Sequence, residues 1–143
     1  MCSLDPPASC RTLADCEAVN RCHERLDRLW EAHPGVPPRE RARFETALVE
    51  IVGNVVRHAR PGPGQRVEVA VELNVDASFL EARVHEFGAV HADIPHLRAA
   101  GAASPAAEAE SGRGLAMVRS LVETLAYAPT EGGNVWTLRR RHA

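Results

Sequence analysis

The sequence predicts an α+β fold, a two-layer α/β sandwich in which helices pack on one face of a mainly antiparallel sheet. Three observations predict it. Two segments with a helical period open the chain, four segments with strand-like alternation follow, and those strands fall into two closely linked pairs. The length of 143 residues, with 45% hydrophobic residues, suits one domain over residues 1–143 with a core of its own.

The first part of the chain predicts a short leading segment and two helices. Residues 1–11 are rich in proline and predict an N-terminal arm or an edge strand. A broken apolar stripe of helical spacing predicts a helix over residues 12–33, which the following HPGVPP ends. A second helix is predicted over residues 39–58, because Pro38 suits a first helical turn and PGPG follows its end.

The second part of the chain predicts four strands and one more helix. Period-two alternation predicts strands over residues 66–75 and 79–87, and their short polar link indicates a hairpin. Residues 88–113 lack order signals, and a loop of that length is usually functional. A third helix is predicted over residues 115–125. The strands TLAYAP and NVWTLRRR follow, turned by EGG.

Composition excludes several classes of function. A formal net charge of −2 gives no general attraction to nucleic acid or to a membrane surface. No apolar run approaches the roughly 20 residues of a membrane span, and no secretory signal opens the sequence, so we expect a cytoplasmic location. The four cysteines lack CxxC spacing, which argues against a metal or redox site. They are Cys2, Cys10, Cys16 and Cys22.

Polar residues on the second helix raise the question of a site. At about 100° per residue, Glu50, Asn54 and His58 lie along one edge of the core-facing stripe, where they would face a cleft. A carboxylate and an amide oxygen one turn apart can both reach a divalent cation, and the carboxylate can deprotonate a nucleophile. The alternative is an ordinary solvated helix face.

Glycines mark two further places. Gly112 and Gly114 precede the third helix, and a helix N-terminus offers free N–H groups to a phosphate. Upstream, a predicted strand ends in Glu86, and Gly88 follows it. Taken singly, each glycine pattern is also compatible with an ordinary turn. Their order along the chain, after a helical Glu/Asn pair, is what makes them informative.

That order resembles the histidine-kinase-like ATPase superfamily, with its Bergerat fold, over roughly residues 12–141. Within it, the chain looks most like the stand-alone bacterial anti-sigma-factor serine/threonine kinases. The family's N-box, E-x-x-x-N-x-x-x-H, matches EIVGNVVRH. The resemblance implies that Glu50 is the general base, that Asn54 is the Mg²⁺ ligand, and that His58 lies in the nucleotide site.

The resemblance also assigns two glycine boxes. The first, D-x-G-x-G, corresponds to EFGAV, and residues 89–111 correspond to the ATP lid. Two departures stand in the first box: Glu86 replaces the adenine-reading aspartate, and Val90 replaces the second glycine. Together, the boxes imply the nucleotide-binding residues Glu86, Gly88, Gly112, Arg113, Gly114 and Leu115.

By resemblance, the chain binds Mg·ATP and phosphorylates a serine or threonine of an anti-anti-sigma (STAS-like) protein. It would hold a sigma factor at a different surface, and a homodimer is left open. The alternative is a degenerate module of the same fold, which sequesters a regulator without kinase activity and with little or no nucleotide binding. Glu86 and Val90 favour the module, whereas the intact N-box and second glycine box favour the kinase.

Overall fold

The structure is a computed structural model, and it describes residues 2–4, 11–91 and 111–143. These residues form three helices and six strands. In chain order they are β1 (Cys2–Leu4), β2 (Thr12–Leu13), α1 (Cys16–Ala32), α2 (Pro38–His58), β3 (Glu68–Val75), β4 (Phe79–Phe87), α3 (Ser111–Leu121), β5 (Thr124–Thr130) and β6 (Gly133–Arg141).

The described strands form one sheet in the order β1–β3–β4–β6–β5, and β2 also pairs with β3. Every pairing among them is antiparallel. The two predicted hairpins, β3–β4 and β5–β6, are both present, and they join through β4 and β6. The predicted fold class, with an antiparallel sheet and helices on one face, is therefore confirmed.

The core lies between the helices and one face of the sheet. On β4, alternate residues such as Leu80 and Val84 are fully buried, as period-two alternation requires. Across from them, α2 buries Phe44, Leu48 and Ile51, a spacing that keeps one helix face on the sheet. Each fully buried side chain of this size contributes about 1.5–3 kcal/mol. Packing of this apolar stripe fixes the rotation of α2, and with it the direction of its polar edge.

Helix α1 begins at Cys16, four residues later than the predicted start at residue 12. Thr12 and Leu13 pair with β3 instead, which places them in the sheet. The helix then starts at an aspartate cap, since the Asp15 side chain accepts a hydrogen bond from the Glu17 N–H at 3.0 Å. Aspartate is a strongly preferred cap residue, so the Asp15 signal in the sequence indicated the later start.

Helix α3 is also displaced from its prediction, which placed it over residues 115–125. It begins at Ser111 and ends at Leu121, because Thr124 already pairs with Arg139 of β6. Gly112 and Gly114 therefore lie within the first helical turn, not ahead of it as the sequence suggested. Of the predicted loop over 88–113, residues 92–110 lie outside the described part.

A largely buried ion pair links α2 and α3 to strand β6. Arg140 of β6 donates from Nε to Glu40 Oε2 at 2.7 Å, and its Nη2 lies 2.6 Å from the same oxygen. Its Nη1 donates to the Leu121 carbonyl at 2.6 Å. One guanidinium thus connects the first turn of α2 with the last residue of α3. We infer that this contact fixes where both helices lie on the sheet.

Two further features concern the described residues alone. No helix among them is long and apolar enough to cross a membrane. Cys16 and Cys22 are free thiols, and burial raises the pKa of Cys22 to about 12. A thiol with so high a pKa is a poor nucleophile and a poor metal ligand at neutral pH. Cys22 therefore acts as an apolar packing residue of α1.

Candidate functional site

The polar edge of α2 brings Glu50 and Asn54 into one place. The Glu50 side chain is 26% exposed, and Asn54 is 5% exposed. Both sit beside the buried stripe of α2, as the helical spacing predicted. His58, the last residue of the helix, is exposed. The structure therefore places Glu50 and Asn54 at the junction of core and surface, and His58 beyond it.

Arg57 completes this edge, and the sequence interpretation missed it. Its Nη2 donates to Glu50 Oε1 at 3.2 Å and to Asn54 Oδ1 at 3.1 Å. The two oxygens therefore converge on one point, which a cationic nitrogen holds. The signal was present in the sequence, because Arg57 follows Glu50 by seven residues and Asn54 by three, which places all three on one helix face.

This oxygen pair fits the Mg²⁺ that the family implies. Carboxylate and amide oxygens are hard ligands of the type that Mg²⁺ prefers, and Mg²⁺ usually takes only one or two protein ligands beside phosphates and water. In the described part of the chain, no group of three or more His, Cys, Asp and Glu residues could hold a metal. The Asn54 Nδ2 is buried without a hydrogen-bond partner, so an acceptor oxygen that arrives with the cation, such as one from a phosphate, would satisfy it and stabilise the site.

The start of α3 lies directly against Glu50. A Cβ added at Gly114 would overlap Glu50 Oε1 and would lie 3.0 Å from Glu50 Cδ. With the Glu50 side chain in this position only glycine fits without a shift, so the carboxylate of α2 and the first turn of α3 occupy adjoining space. Leu115 is 3% exposed and anchors this turn in the core. Two motifs distant in sequence, the N-box and the second glycine box, thus meet in the fold.

The backbone of that turn supplies the second half of the site. Gly112 and Arg113 lie in it together with Gly114. The first four N–H groups of an α-helix have no partner within the helix, and they carry the positive end of its dipole. The first turn of α3 lies against the Glu50 side chain at Gly114. This combination suits an anion that arrives with a bound cation.

Glu86, the residue before the last of β4, lies on the helix-facing side of the sheet, where it is 5% exposed. Its Oε2 accepts a hydrogen bond from Trp136 Nε1 at 2.5 Å, and its Oε1 accepts one from Asn134 Nδ2 at 3.2 Å. Burial raises the pKa of the Glu86 carboxyl, and these two hydrogen bonds act in the opposite direction. Both oxygens of the residue that replaces the adenine-reading aspartate are thus held by donors from β6.

The residues around Glu86 also include an unpaired acceptor. Asn134 is 1% exposed and donates a second bond, to the Val90 carbonyl at 2.9 Å, while its Oδ1 has no partner. Neither Asn134 nor Trp136 was predicted as a site residue. Asn134 lies directly opposite Glu86 only because β4 pairs with β6, and sequence periodicity gave no information on that pairing.

Gly88 directly follows the last residue of β4 and packs against the backbone of Arg66. Its φ is +75°, and an added Cβ would overlap the Arg66 carbonyl, so glycine is required on two grounds. A cavity of about 410 Å³ adjoins it. Val90 has no positive φ and its side chain is 42% exposed. The valine in place of the family's second glycine therefore directs its bulk to the surface.

The raised pKa of Glu86 predicts a pH-dependent difference between wild type and Glu86→Gln. A carboxyl whose folded pKa lies above its ordinary value of 4.5 stabilises the fold most when protonated, and this contribution is lost as pH rises through the folded pKa. Urea unfolding at several pH values above 4.5 should show the advantage of wild type over Glu86→Gln shrinking as pH rises. A difference that stays constant or grows with pH would refute this environment for Glu86.

Comparison with known proteins identifies the family to which the chain belongs. Residues 12–140 match the model of the family described as the histidine kinase-like ATPase domain, and the chain belongs to that family. A comparison with curated proteins found no match. The family assignment implies nucleotide binding of the ATP type.

A solved structure supports the fold. The chain is similar to the histidine kinase domain from the Erythrobacter litoralis EL346 blue-light activated histidine kinase, with a TM-score of 0.53 and 16% identity. The match covers 74% of this chain and 46% of that one, so the chain spans about half the length of that structure. At this identity the likeness shows the fold alone. The lid predicted over residues 89–111 falls almost wholly outside the described residues.

Proposed function

We propose that the chain is a cytoplasmic anti-sigma regulatory factor with serine/threonine kinase activity. It binds Mg·ATP, phosphorylates an anti-anti-sigma (STAS-like) partner, and holds a sigma factor elsewhere on its surface, as a monomer or a homodimer. The observation that carries this proposal is the contact between the Glu50 carboxylate and the Gly114 turn of α3. It supports a site in which a base lies next to free helix N–H groups.

Phosphoryl transfer depends mainly on positioning and on neutralising charge, so a small set of groups suffices. Glu50 and Asn54 are held by the packed stripe of α2, and Gly114 is held by the buried Leu115. The site residues therefore stand on rigid elements of the core rather than on loops. Asn54 Oδ1, beside Glu50, is the oxygen that would hold Mg²⁺, and the ion would neutralise phosphate charge there.

Glu50 takes the role of base in this proposal. The hydroxyl oxygen of the partner's serine or threonine forms a bond to the γ-phosphorus of ATP, the bond from that phosphorus to the bridging oxygen breaks, and ADP leaves. The hydroxyl proton passes to the Glu50 carboxylate. The Glu50 carboxylate is 26% exposed, so a hydroxyl from a second protein can reach it. A fully buried carboxylate would be out of reach.

A second candidate is a module of the same fold that sequesters a regulator without phosphorylating it. One observation favours it: both oxygens of Glu86 already accept hydrogen bonds, from Trp136 and from Asn134. A carboxylate held in this way offers less to an exocyclic amine of adenine. In this second candidate, the hydrogen bonds from Trp136 and Asn134 to Glu86 stabilise the pairing of β4 with β6. The site then binds nucleotide more weakly than a site with a free carboxylate would.

Phosphate transfer separates the two candidates. The purified chain would be incubated with γ-labelled ATP, Mg²⁺ and STAS-like and sigma-type candidates from the same genome, alongside a pull-down of each. The kinase proposal expects label on a serine or threonine of one STAS-like candidate. Capture of a candidate by the chain without any labelled protein would support the module and reject the kinase.

A further inference from the structure

A glycine in the interior of α2 needs an explanation. Gly53 is buried in a helix that runs from Pro38 to His58. Glycine is the least favourable residue for a helix interior apart from proline, and alanine is the best. The three atoms nearest to a Cβ built at Gly53 all belong to the guanidinium of Arg57, with Nη1 at 3.0 Å. The guanidinium of Arg57 therefore lies directly against Gly53, where a larger residue would crowd it.

That position directs the guanidinium back along the helix. Its Nη2 reaches Asn54 Oδ1 at 3.1 Å and Glu50 Oε1 at 3.2 Å, so one nitrogen bridges the two oxygens. The Arg57 side chain is 53% exposed. An ion pair this open to solvent is weak, on the order of 0–1 kcal/mol. The bridge therefore favours one arrangement of the Glu50 and Asn54 side chains only weakly, and a competing cation can displace it.

We propose that Arg57 is a positioning residue which holds Glu50 and Asn54 on one point until a divalent cation displaces it, and that Gly53 provides the room for this. Asn54 Oδ1, the oxygen proposed to hold the metal, cannot bind the guanidinium and a metal ion at the same time, because two cations would repel each other there. Arg57 therefore competes with the metal and sets the concentration at which it binds. The inference rests on the proposed Mg²⁺ role of Asn54.

Mn²⁺ binding to the purified chain without nucleotide tests it, since Mn²⁺ prefers the same oxygen ligands and its free form is counted by electron paramagnetic resonance. Arg57→Ala removes the competitor, and we expect Mn²⁺ to bind about two- to five-fold more tightly, the range of an exposed ion pair. Arg60→Ala is the matched control. It removes an exposed positive charge just beyond the same helix and should change the affinity less.

Gly53→Ala gives an independent variant that keeps every charge. Its Cβ would lie 3.0 Å from Arg57 Nη1, so the flexible guanidinium must shift by a few tenths of an ångström, which weakens its hold on the two oxygens. We expect this variant to bind Mn²⁺ more tightly than wild type and also to melt at a higher temperature, because alanine favours the helix. A merely structural Arg57 would leave the metal affinity of both variants unchanged.

The outcomes separate this inference from the proposed function. If Asn54→Ala loses Mn²⁺ binding while Arg57→Ala and Gly53→Ala bind it as wild type does or more weakly, the inference is overturned and the metal site stands. If wild type binds no Mn²⁺ even with ADP present, the metal site fails and the inference fails with it. Tighter binding in both variants, with less change in Arg60→Ala, supports the inference.

Discussion

Glu50→Gln is expected to bind nucleotide as wild type does and to lose phosphate transfer. Glutamine keeps the shape of the side chain, and it can still accept a hydrogen bond from Arg57 and still fit against Gly114. What it loses is the affinity for a proton. A general base typically contributes about 10²–10⁴ in rate, so transfer of labelled phosphate to the STAS-like partner should fall by that factor.

Glu45→Gln on the same helix is the matched control, since it makes the same chemical change away from Gly114 and should leave the rate unchanged. Nucleotide titration and far-UV circular dichroism of both variants establish that binding and folding are intact. Transfer by Glu50→Gln at the wild-type rate would remove Glu50 as the base. The carboxylate would then be explained by its ion pair with Arg57.

Arg140→Ala is expected to destabilise the fold by roughly 3 kcal/mol, the lower end of the range for breaking a buried ion pair by removal of one partner. The Arg140 and Glu40 side chains are 11% and 19% exposed, so Glu40 would keep its charge with little water to solvate it. The Leu121 carbonyl would lose its donor as well. Urea denaturation at neutral pH measures this loss directly.

Arg141→Ala is the matched control for that experiment. Arg141 is the next residue along β6, is exposed and lies over the Phe79 ring, so its side-chain truncation should change stability by less than about 1 kcal/mol, the range of an exposed cation–π contact. Equal effects from the two substitutions would contradict the account of Arg140 as the contact that joins α2, α3 and the sheet. The same result would leave the relative placement of Glu50 and Gly114 without its proposed support.

The fold class could be predicted because it depends on local patterns. Period-two alternation indicates strands, and short links between strands indicate hairpins, so β3–β4 and β5–β6 were accessible to sequence reasoning. The start of α1 was wrong because the pairing of Thr12 and Leu13 with β3 is a tertiary contact. Likewise, β4 pairs with β6 although α3 separates them in sequence, and hydrophobic periodicity cannot predict such a pairing.

The residues of the candidate site differ in the same way, since some could be predicted from helix spacing and others depend on tertiary packing. Glu50 and Asn54 could be predicted, since one helix at known spacing places them together. The position of Gly114 against Glu50 required the packing of α3 on α2. The bonds from Trp136 and Asn134 to Glu86 required the strand order. Arg57 is an intermediate case. Helix spacing places it on the same face as Glu50 and Asn54, but the position of its guanidinium depends on side-chain packing that the sequence does not show.

Calorimetric titration of ATP in the presence of Mg²⁺ against wild type and Asn54→Ala tests the central claim most directly. The claim is that α2 and the first turn of α3 form a Mg-nucleotide site. Wild type should bind ATP saturably with one site per chain. Asn54→Ala, with an unchanged far-UV spectrum, should bind it more weakly and should lose the dependence on Mg²⁺. Wild type that binds no ATP, or a variant that binds Mg·ATP as tightly as wild type, would contradict the claim.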